Sequence, residues 1–517
     1  MADRLPTPRW NLPDIDPLPT LLRRTRQELA ASFSADRPIR ISRAPGRLDV
    51  MGGIADYTGS LVCEATLDRA AAVVLQERAD RTVQVFSFNL FDEHKPFTFG
   101  IPLDALALGA PGLEALRREF AEPGRRWAGY LAGCLYILHE KGFVDLRDPR
   151  VRGMNLALYS TVPLGAGVSS SAAIEVATMM NLRDHFGLAD PDSDPMESRA
   201  VPGPDSGLRT ARLSAGRMPL NDPMLLASLC QEVENRIVGA PCGIMDQVSS
   251  CAGEAGSLLR MVCQPHELQP AMHLPAGIRV LGINSNVKHS VGGGQYGRTR
   301  CAAFMAHKII LQAMADKGKE LGKTLVGDPM RGYLANLDPE AYKILFRPLL
   351  PARITGREFL DKWGPTIDKA TTVDPADTYA VQQAADHHVL EARRVRNFVQ
   401  FLETAAVLPI EKRKLDLDRA GHLMYASHVS YTNDALLGAA ECDMLVALVR
   451  QREAAGLYGA KITGGGSGGT VAVLADIGQR VDAAVADIMK EYESRTGIHP
   501  EALLGTSPGA WHVGTAV

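Results

Sequence analysis

Asp246 lies inside the apolar stretch Cys242–Val248, twelve residues after Glu234 and just past a Gly-Ala-Pro-Cys-Gly turn. Glu234 is placed near the end of a helix. Either acid alone reads as a solvated side chain or a helix cap. Together, beside a phosphate-binding loop, they suit phosphoryl transfer: one carboxylate holds Mg2+, the other accepts a proton from a hydroxyl nucleophile. A carboxylate buried among apolar residues needs a cationic partner, and Arg47 is the candidate. Three glycine-rich segments could supply the loop: Arg43–Gly53 (RAPGRLDVMGG), Pro163–Ala177 (PLGAGVSSSAAIEVA) and Lys461–Gly469 (KITGGGSGG). Any one of them reads equally as a tight turn that needs glycine for steric reasons. The second is the more specific. Gly165, Ala166, Gly167 and Val168 let backbone amides converge, Ser169, Ser170 and Ser171 add hydroxyls, and a helix N-terminus follows. GxxxxGK[ST] is absent, and no GxGxxG follows a strand with a later acid, which excludes a Walker loop and a Rossmann fingerprint.

The elements that must hold these residues follow from periodicity and punctuation. A helical stretch falls at Leu21–Phe33 in a Pro-rich N-terminal segment. Ile39–Arg43 reads as a strand running into a loop over Ala44–Gly53. Ala70–Gln76, Val83–Phe88 and Met154–Tyr159 read as further strands, and Trp127–Lys141 and Ser170–Phe186 as helices, the latter stopped by Gly187. Residues 188–222 are rich in Pro, Asp, Ser and Gly and read as a surface insertion; 320–375 reads as a second, irregular one. Between them lie a helix at Pro223–Val238, a strand at Gly277–Asn284 and a helix at Tyr296–Asp316. Beyond lie helices at Ala376–Thr404, Asp418–His428 and Ala435–Gly456, strands at Tyr458–Thr463 and Thr470–Ala475, a helix near Val481–Thr496 and a final strand near Ala510–Gly514. Strands and helices without regular alternation predict an α+β fold. The organisation expected is an extension (1–36), an N-terminal domain (37–275, insert 188–222) and a C-terminal domain (276–517, insert 320–375).

Composition excludes several classes of function. The 517 residues are 46% hydrophobic and 22% charged, with net charge −3, so no basic excess exists to grip nucleic acid or an anionic membrane. No stretch reaches the roughly 20 apolar residues that span a bilayer. The N-terminus lacks the apolar core of a signal peptide. Eight cysteines, with no CxxC pair, read as reduced buried thiols rather than zinc ligands or disulfides. A cytoplasmic protein, monomeric or weakly homo-oligomeric, is expected.

At this point the residues resemble the GHMP kinases, and within them the galactokinases. RAPGRLDVMGGIADYTGSL is similar to the family's sugar-binding signature, PLGAGVSSSAAIEVA to its phosphate loop and YGAKITGGGSGGTVAVL to its third motif; GAPCGIMDQ, INSNVKHSVGGGQYG and RRWAGYLAG also resemble galactokinase segments. The resemblance implies a two-domain fold, ribosomal-protein-S5-like then ferredoxin-like, with the site between. It implies Asp246 as catalytic base and Arg47 as its cationic partner, Glu234 and Ser171 as Mg2+ ligands, and Gly165–Ser171 as the cradle of the ATP phosphates. Trp127 and Arg126 fall on the nucleotide side. Asp56, Gly243, Asp246 and Tyr296 fall on the sugar side, and Lys288 stands where galactokinases carry arginine.

One departure bears on the substrate. Galactokinases have Gly-Glu-His-Thr-Asp-Tyr where this chain has Gly52-Gly53-Ile54-Ala55-Asp56-Tyr57. In that family the Glu and His hold the sugar's 6-hydroxyl; Ile54 has no polar atom to offer, and Gly53 only backbone. Burying a hydroxyl without a partner costs about 1–3 kcal/mol. A pentopyranose of galactose-like configuration, L-arabinose, avoids that cost, and segments such as MVCQP, VDPADTYAV and the terminal SPGA resemble L-arabinokinases. The expected reaction is phosphorylation of the anomeric hydroxyl of L-arabinose by MgATP. The alternatives are D-galactose as acceptor, or a non-catalytic sugar sensor on the same fold.

Overall fold

A computed structural model describes residues 13–108, 112–189, 219–264, 266–287, 294–320 and 328–517. Lys288 and most of the segment expected as the first insertion lie outside the described residues.

The first sheet is built on two long strands, β1 (Arg40–Met51) and β2 (Leu61–Glu77). Around them lie β3 (Thr82–Ser87), β4 (Thr98–Pro102), β5 (Met154–Ser160), β6 (Ser257–Val262) and β7 (Glu267–His273). β1 pairs along most of β2, while the other edge of β2 divides: its first residues pair with β6 and Ala71–Glu77 with β5. All pairings in this sheet are antiparallel except β3 with β5. The chain then enters a second, antiparallel sheet at β8 (Ile278–Asn284). After the two-residue strands β9 (Ile354–Thr355) and β10 (Thr378–Tyr379), it completes that sheet with β11 (Leu457–Ile462), β12 (Thr470–Asp476) and β13 (Glu501–Leu503), in the order β11-β12-β8-β13. β14 (Thr515–Ala516) returns to pair with β1, so the chain's last residues finish the sheet its first strand began.

The principal helices are α1 (Leu18–Glu28), α2 (Arg126–Glu140), α3 (Ser170–His185), α4 (Pro223–Glu232), α5 (Met245–Ala252), α6 (Gln295–Glu320), α7 (Val381–Val407), α8 (Lys414–Asn433), α9 (Ala440–Arg450) and α10 (Gln479–Thr496). α3 is small and apolar around most of its circumference, as a buried helix should be. It is pinned to the sheet by side chains: Asn181 Nδ2 donates to Val73 O and Ser42 Oγ, and Ser42 Oγ donates to Ala177 O at 2.7 Å. One apolar cluster joins the first sheet to α2, α3 and α4; a second joins the other sheet to α6, α7, α9 and α10. Leu18, Leu21 and Leu22 of α1 pack with Ile41, Val74 and Phe86 of the first sheet, so part of the N-terminal extension is built into the fold.

Three local expectations are corrected. Ala44–Gly53 is not a loop: β1 runs through Pro45 and Gly46 to Met51, absorbing the break in two register shifts against β2. Ala510–Gly514 is not a strand but a short helix, Ala510–Val513, before β14. The 320–375 segment is not wholly irregular; it contains a helix at Gly356–Trp363 closed by a Thr355/Glu358 capping box. β6 and β7 had no counterpart among the expected strands. Among the described residues, no helix is long and apolar enough to cross a membrane. All eight cysteines are free thiols, seven of them buried.

Candidate active site

The three glycine segments meet through their backbones. Arg47 N–H donates to Val168 O at 3.2 Å, and a Cβ on Gly46 would lie 2.7 Å from the same oxygen. The third segment closes from the other side. Thr470 N–H donates to Ala166 O at 3.0 Å, and a Cβ on Gly464 would come to 2.5 Å from Gly167 O. No residue with a side chain permits that approach. Gly165 and Gly167 both take φ +70°, and Ser169, which precedes α3, takes the left-handed φ +60°. Ser169 Oγ is buried without a partner. An orphaned hydroxyl in a glycine loop at the N-terminus of a helix fits a phosphate.

Arg47 extends from β1 and is 2% exposed. Its Nη2 and Nε donate to Asp246 Oδ1 at 2.6 and 3.0 Å, and its Nη1 donates to Gly167 O at 2.7 Å. One guanidinium therefore ties the first turn of α5, where Asp246 sits, to the glycine loop before α3. Glu64, across the strand pair on β2, lies 3.2 Å from Arg47 Nε. Burial opposes the charge on Arg47, but Asp246, Glu64 and Asp49 hold its pKa above the usual guanidinium value. Glu64 itself is driven well above the normal carboxylate range by burial and by Asp49. Asp49 forms a fully buried ion pair with Lys461 at 2.6 Å and accepts from Gly53 N–H at 2.9 Å.

Glu234 sits in a π-turn, Val233–Val238, that extends α4. It accepts a hydrogen bond from Ser171 and another, 2.8 Å long, from Gln247 Nε2. Gln247 also reaches Glu175 at 3.2 Å, whose Oε1 is buried without a partner. Burial, then the charge of Asp246, pushes Glu234 up to about 7. Among the described residues no three His, Cys, Asp or Glu side chains converge as a metal cage. A hydroxyl and a carboxylate beside a phosphate loop nevertheless fit Mg2+, which takes one or two protein oxygens and completes its shell with phosphate and water.

Asp56, in the 3-10 turn Gly53–Thr58, is buried, and burial with the charge of Asp246 pushes it up to about 7. Gly243 lies so close that a Cβ there would overlap the Asp56 carboxyl. Tyr296, at the start of α6, faces Gly465 and meets the Tyr57 ring edge-on at 6.1 Å. Ile54 is 1% exposed and packs in the second apolar cluster with Leu281 and Ile283. Arg126 and Trp127 begin α2; Arg126 is exposed, and Trp127 is half-buried, donating to Gly124 O at 2.9 Å.

Several groups at the site were not singled out from sequence. Arg300 lies 4.9 Å above the Tyr57 ring and pairs bidentately with Asp368 at 2.8 Å through both oxygens. Lys461 stands in a segment read only for its glycines. Tyr431 stands in MYASHVSYTND, a helical segment that carries no glycine loop or charged pair to mark it. His428 is a core residue: its Nδ1 accepts from Ile462 N–H and its Nε2 lies 3.0 Å from Asp443.

Two sheets joined at a glycine loop, with a clamped carboxylate beside it, suit phosphoryl transfer to a small molecule. The models for the GHMP kinases N-terminal domain and the GHMP kinases C-terminal region match residues 130–200 and 410–494. Galactokinase of Chloroflexus aurantiacus is 30% identical across 91% of this chain and 92% of its own length. The L-arabinokinase of Arabidopsis thaliana is 33% identical across 95% of this chain and 48% of that protein, so the chain spans about half its length. Lactococcus lactis galactokinase, solved with galactose, superposes with a TM-score of 0.66 at 20% identity, covering 96% of this chain and 99% of that one. The chain belongs to the GHMP kinase family, ATP-dependent kinases of two-domain α+β fold.

Proposed function

We propose that the protein phosphorylates the anomeric hydroxyl of L-arabinose, using MgATP. In this reading Arg47 takes Asp246 Oδ1 through two nitrogens, leaving Oδ2 to accept the proton of the C1 hydroxyl. The γ-phosphoryl passes to the C1 oxygen and ADP leaves. Arg47 orients the Asp246 carboxylate and, through Gly167 O, holds the base in register with the phosphate loop. The amides and hydroxyls of Gly165–Ser171 bind the phosphates, with Arg126 and Trp127 on the nucleotide side. Glu234 and Ser171 would hold Mg2+, which supplies charge neutralisation to the transferring group. Transfer through a loose transition state asks chiefly for positioning and such neutralisation. Asp56, Gly243 and Tyr296 form the sugar flank with Gly53 and Ile54.

The observation that carries the choice of sugar is the turn at Gly53–Ile54. Gly53 sits at φ +40°, and a Cβ there would overlap the Tyr431 hydroxyl; Ile54 is packed among apolar side chains. Neither residue 53 nor residue 54 offers a 6-hydroxyl a polar side chain, and the space a longer side chain at 53 would take is filled by Tyr431. The similarity to an L-arabinokinase agrees with that reading. The similarity to galactokinases over more than nine-tenths of their length favours a second one, with D-galactose as acceptor. ADP release measured with each sugar separates them. L-arabinose is expected to have the higher kcat/KM by at least tenfold; a galactose preference would overturn the choice.

A further inference from the structure

Tyr431, near the end of α8, is fully buried, and its hydroxyl is fixed from two sides. It accepts from Ile54 N–H at 3.0 Å and donates to Gly464 O at 2.9 Å. It occupies the point from which a side chain at residue 53 would start. The ring extends the same wall: Tyr431 Cδ1 lies 3.2 Å from where a Cβ on Gly466 would stand, and the Tyr296 ring lies 3.6 Å from the corresponding point on Gly465. Tyr296, Gly465, Gly466 and Tyr431 thus run continuously to the turn at Gly53. A side chain at 53 and a tyrosine at 431 exclude each other, and this chain carries the tyrosine.

We infer that Tyr431 is a specificity-determining residue of the acceptor pocket, whose hydroxyl closes the end beyond Gly53 against an exocyclic hydroxymethyl group. The inference rests on the sugar-kinase reading above. A phenol has only two rotatable bonds, and here its hydroxyl both accepts and donates to the backbone. An acceptor with a CH2OH branch would have to push the hydroxyl aside, leaving Ile54 N–H and Gly464 C=O unpaired in a buried place. A smaller acceptor leaves both bonds intact. Discrimination by a closed pocket of this kind is worth tenfold or more, because the added group must displace structure rather than merely fill space.

The test is the ratio of kcat/KM for L-arabinose to that for D-galactose in the wild type, Tyr431→Leu and Tyr431→Phe. Leucine should lower the ratio at least tenfold, through a better KM for galactose. Phenylalanine, which removes only the hydroxyl, should lower it severalfold, and it supplies the answer if the leucine variant does not fold. A ratio unchanged while both sugars lose activity together would mean that Tyr431 is merely structural and would overturn the inference. The sugar reading is judged separately, by the wild-type ratio. A galactose-preferring wild type defeats that reading, yet a further shift toward galactose in Tyr431→Leu would still uphold the assignment. A wild type inactive on both sugars defeats both.

Discussion

Replacing Asp246 by Asn should separate chemistry from architecture. Asn keeps an oxygen where Arg47 donates at 2.6 and 3.0 Å, and the side chain, about a fifth exposed, has little packing to lose. Neutralising Asp246 removes one of the charges that oppose ionisation of Glu64, which lies 3.2 Å from Arg47 and then balances the buried guanidinium, with Asp49 nearby. The variant should fold with a melting temperature within a few degrees of wild type. What it loses is a proton acceptor. General-base catalysis contributes about 10²–10⁴-fold, or about 3–5 kcal/mol at 1.36 kcal/mol per decade. The fall should appear in kcat, with the sugar KM within a few-fold, because the carboxylate's role as base acts in the transition state. Steady-state ADP release and a melting curve on the same preparation suffice. A kcat within fivefold of wild type, in a folded variant, would refute the assignment of Asp246. A large loss of stability would refute the claim that Glu64 and Asp49 keep Arg47 compensated.

Two further perturbations probe the sugar flank. Asp56 is held near 7 in the fold against 3.8 ordinarily, so between those values the folded state binds a proton that the unfolded chain has released, and stability falls as pH rises through that window. The full difference is worth about 4 kcal/mol at most. Unliganded Asp56→Asn should therefore melt higher than wild type above pH 7, with the two curves converging toward pH 4; a difference independent of pH would contradict this. Gly243→Ala would drive a Cβ into the Asp56 carboxyl. It should raise the acceptor KM more than tenfold with the ATP KM little changed, and a variant kinetically within twofold of wild type would show that this contact is not at the acceptor.

The parts of the site legible in sequence were those whose chemistry is local. The glycine segments announce themselves by composition, and Asp246 by lying in an apolar run. What was hidden depends on partners hundreds of residues apart. Nothing around Lys461 signals that it meets Asp49, nor around Tyr431 that it stands over Gly53. Arg300 and Asp368, 68 residues apart, meet only in the fold. At β1 and β2 the strands were misread because charge and turn residues stand where periodicity expects apolar ones. Pro45 and Gly46 read as a break, yet the register shift between Pro45 and Arg47 takes them into β1. Glu64, Asp68 and Arg69 masked the first half of β2, because the buried Glu64 is matched by Arg47 from the neighbouring strand rather than exposed. At Ala510–Gly514, alternation too short to distinguish strand from helix was settled by tertiary packing, with Ala510 fully buried in the first cluster.

The central claim is a phosphoryl group delivered to the anomeric oxygen of a pentose. The direct measurement is NMR of the product formed from L-arabinose and MgATP, with ADP quantified in the same tube. The account predicts one ADP per sugar consumed and a phosphorus resonance coupled to the anomeric proton. Phosphate on any other hydroxyl, or ADP formed from D-galactose but not from L-arabinose, would contradict it.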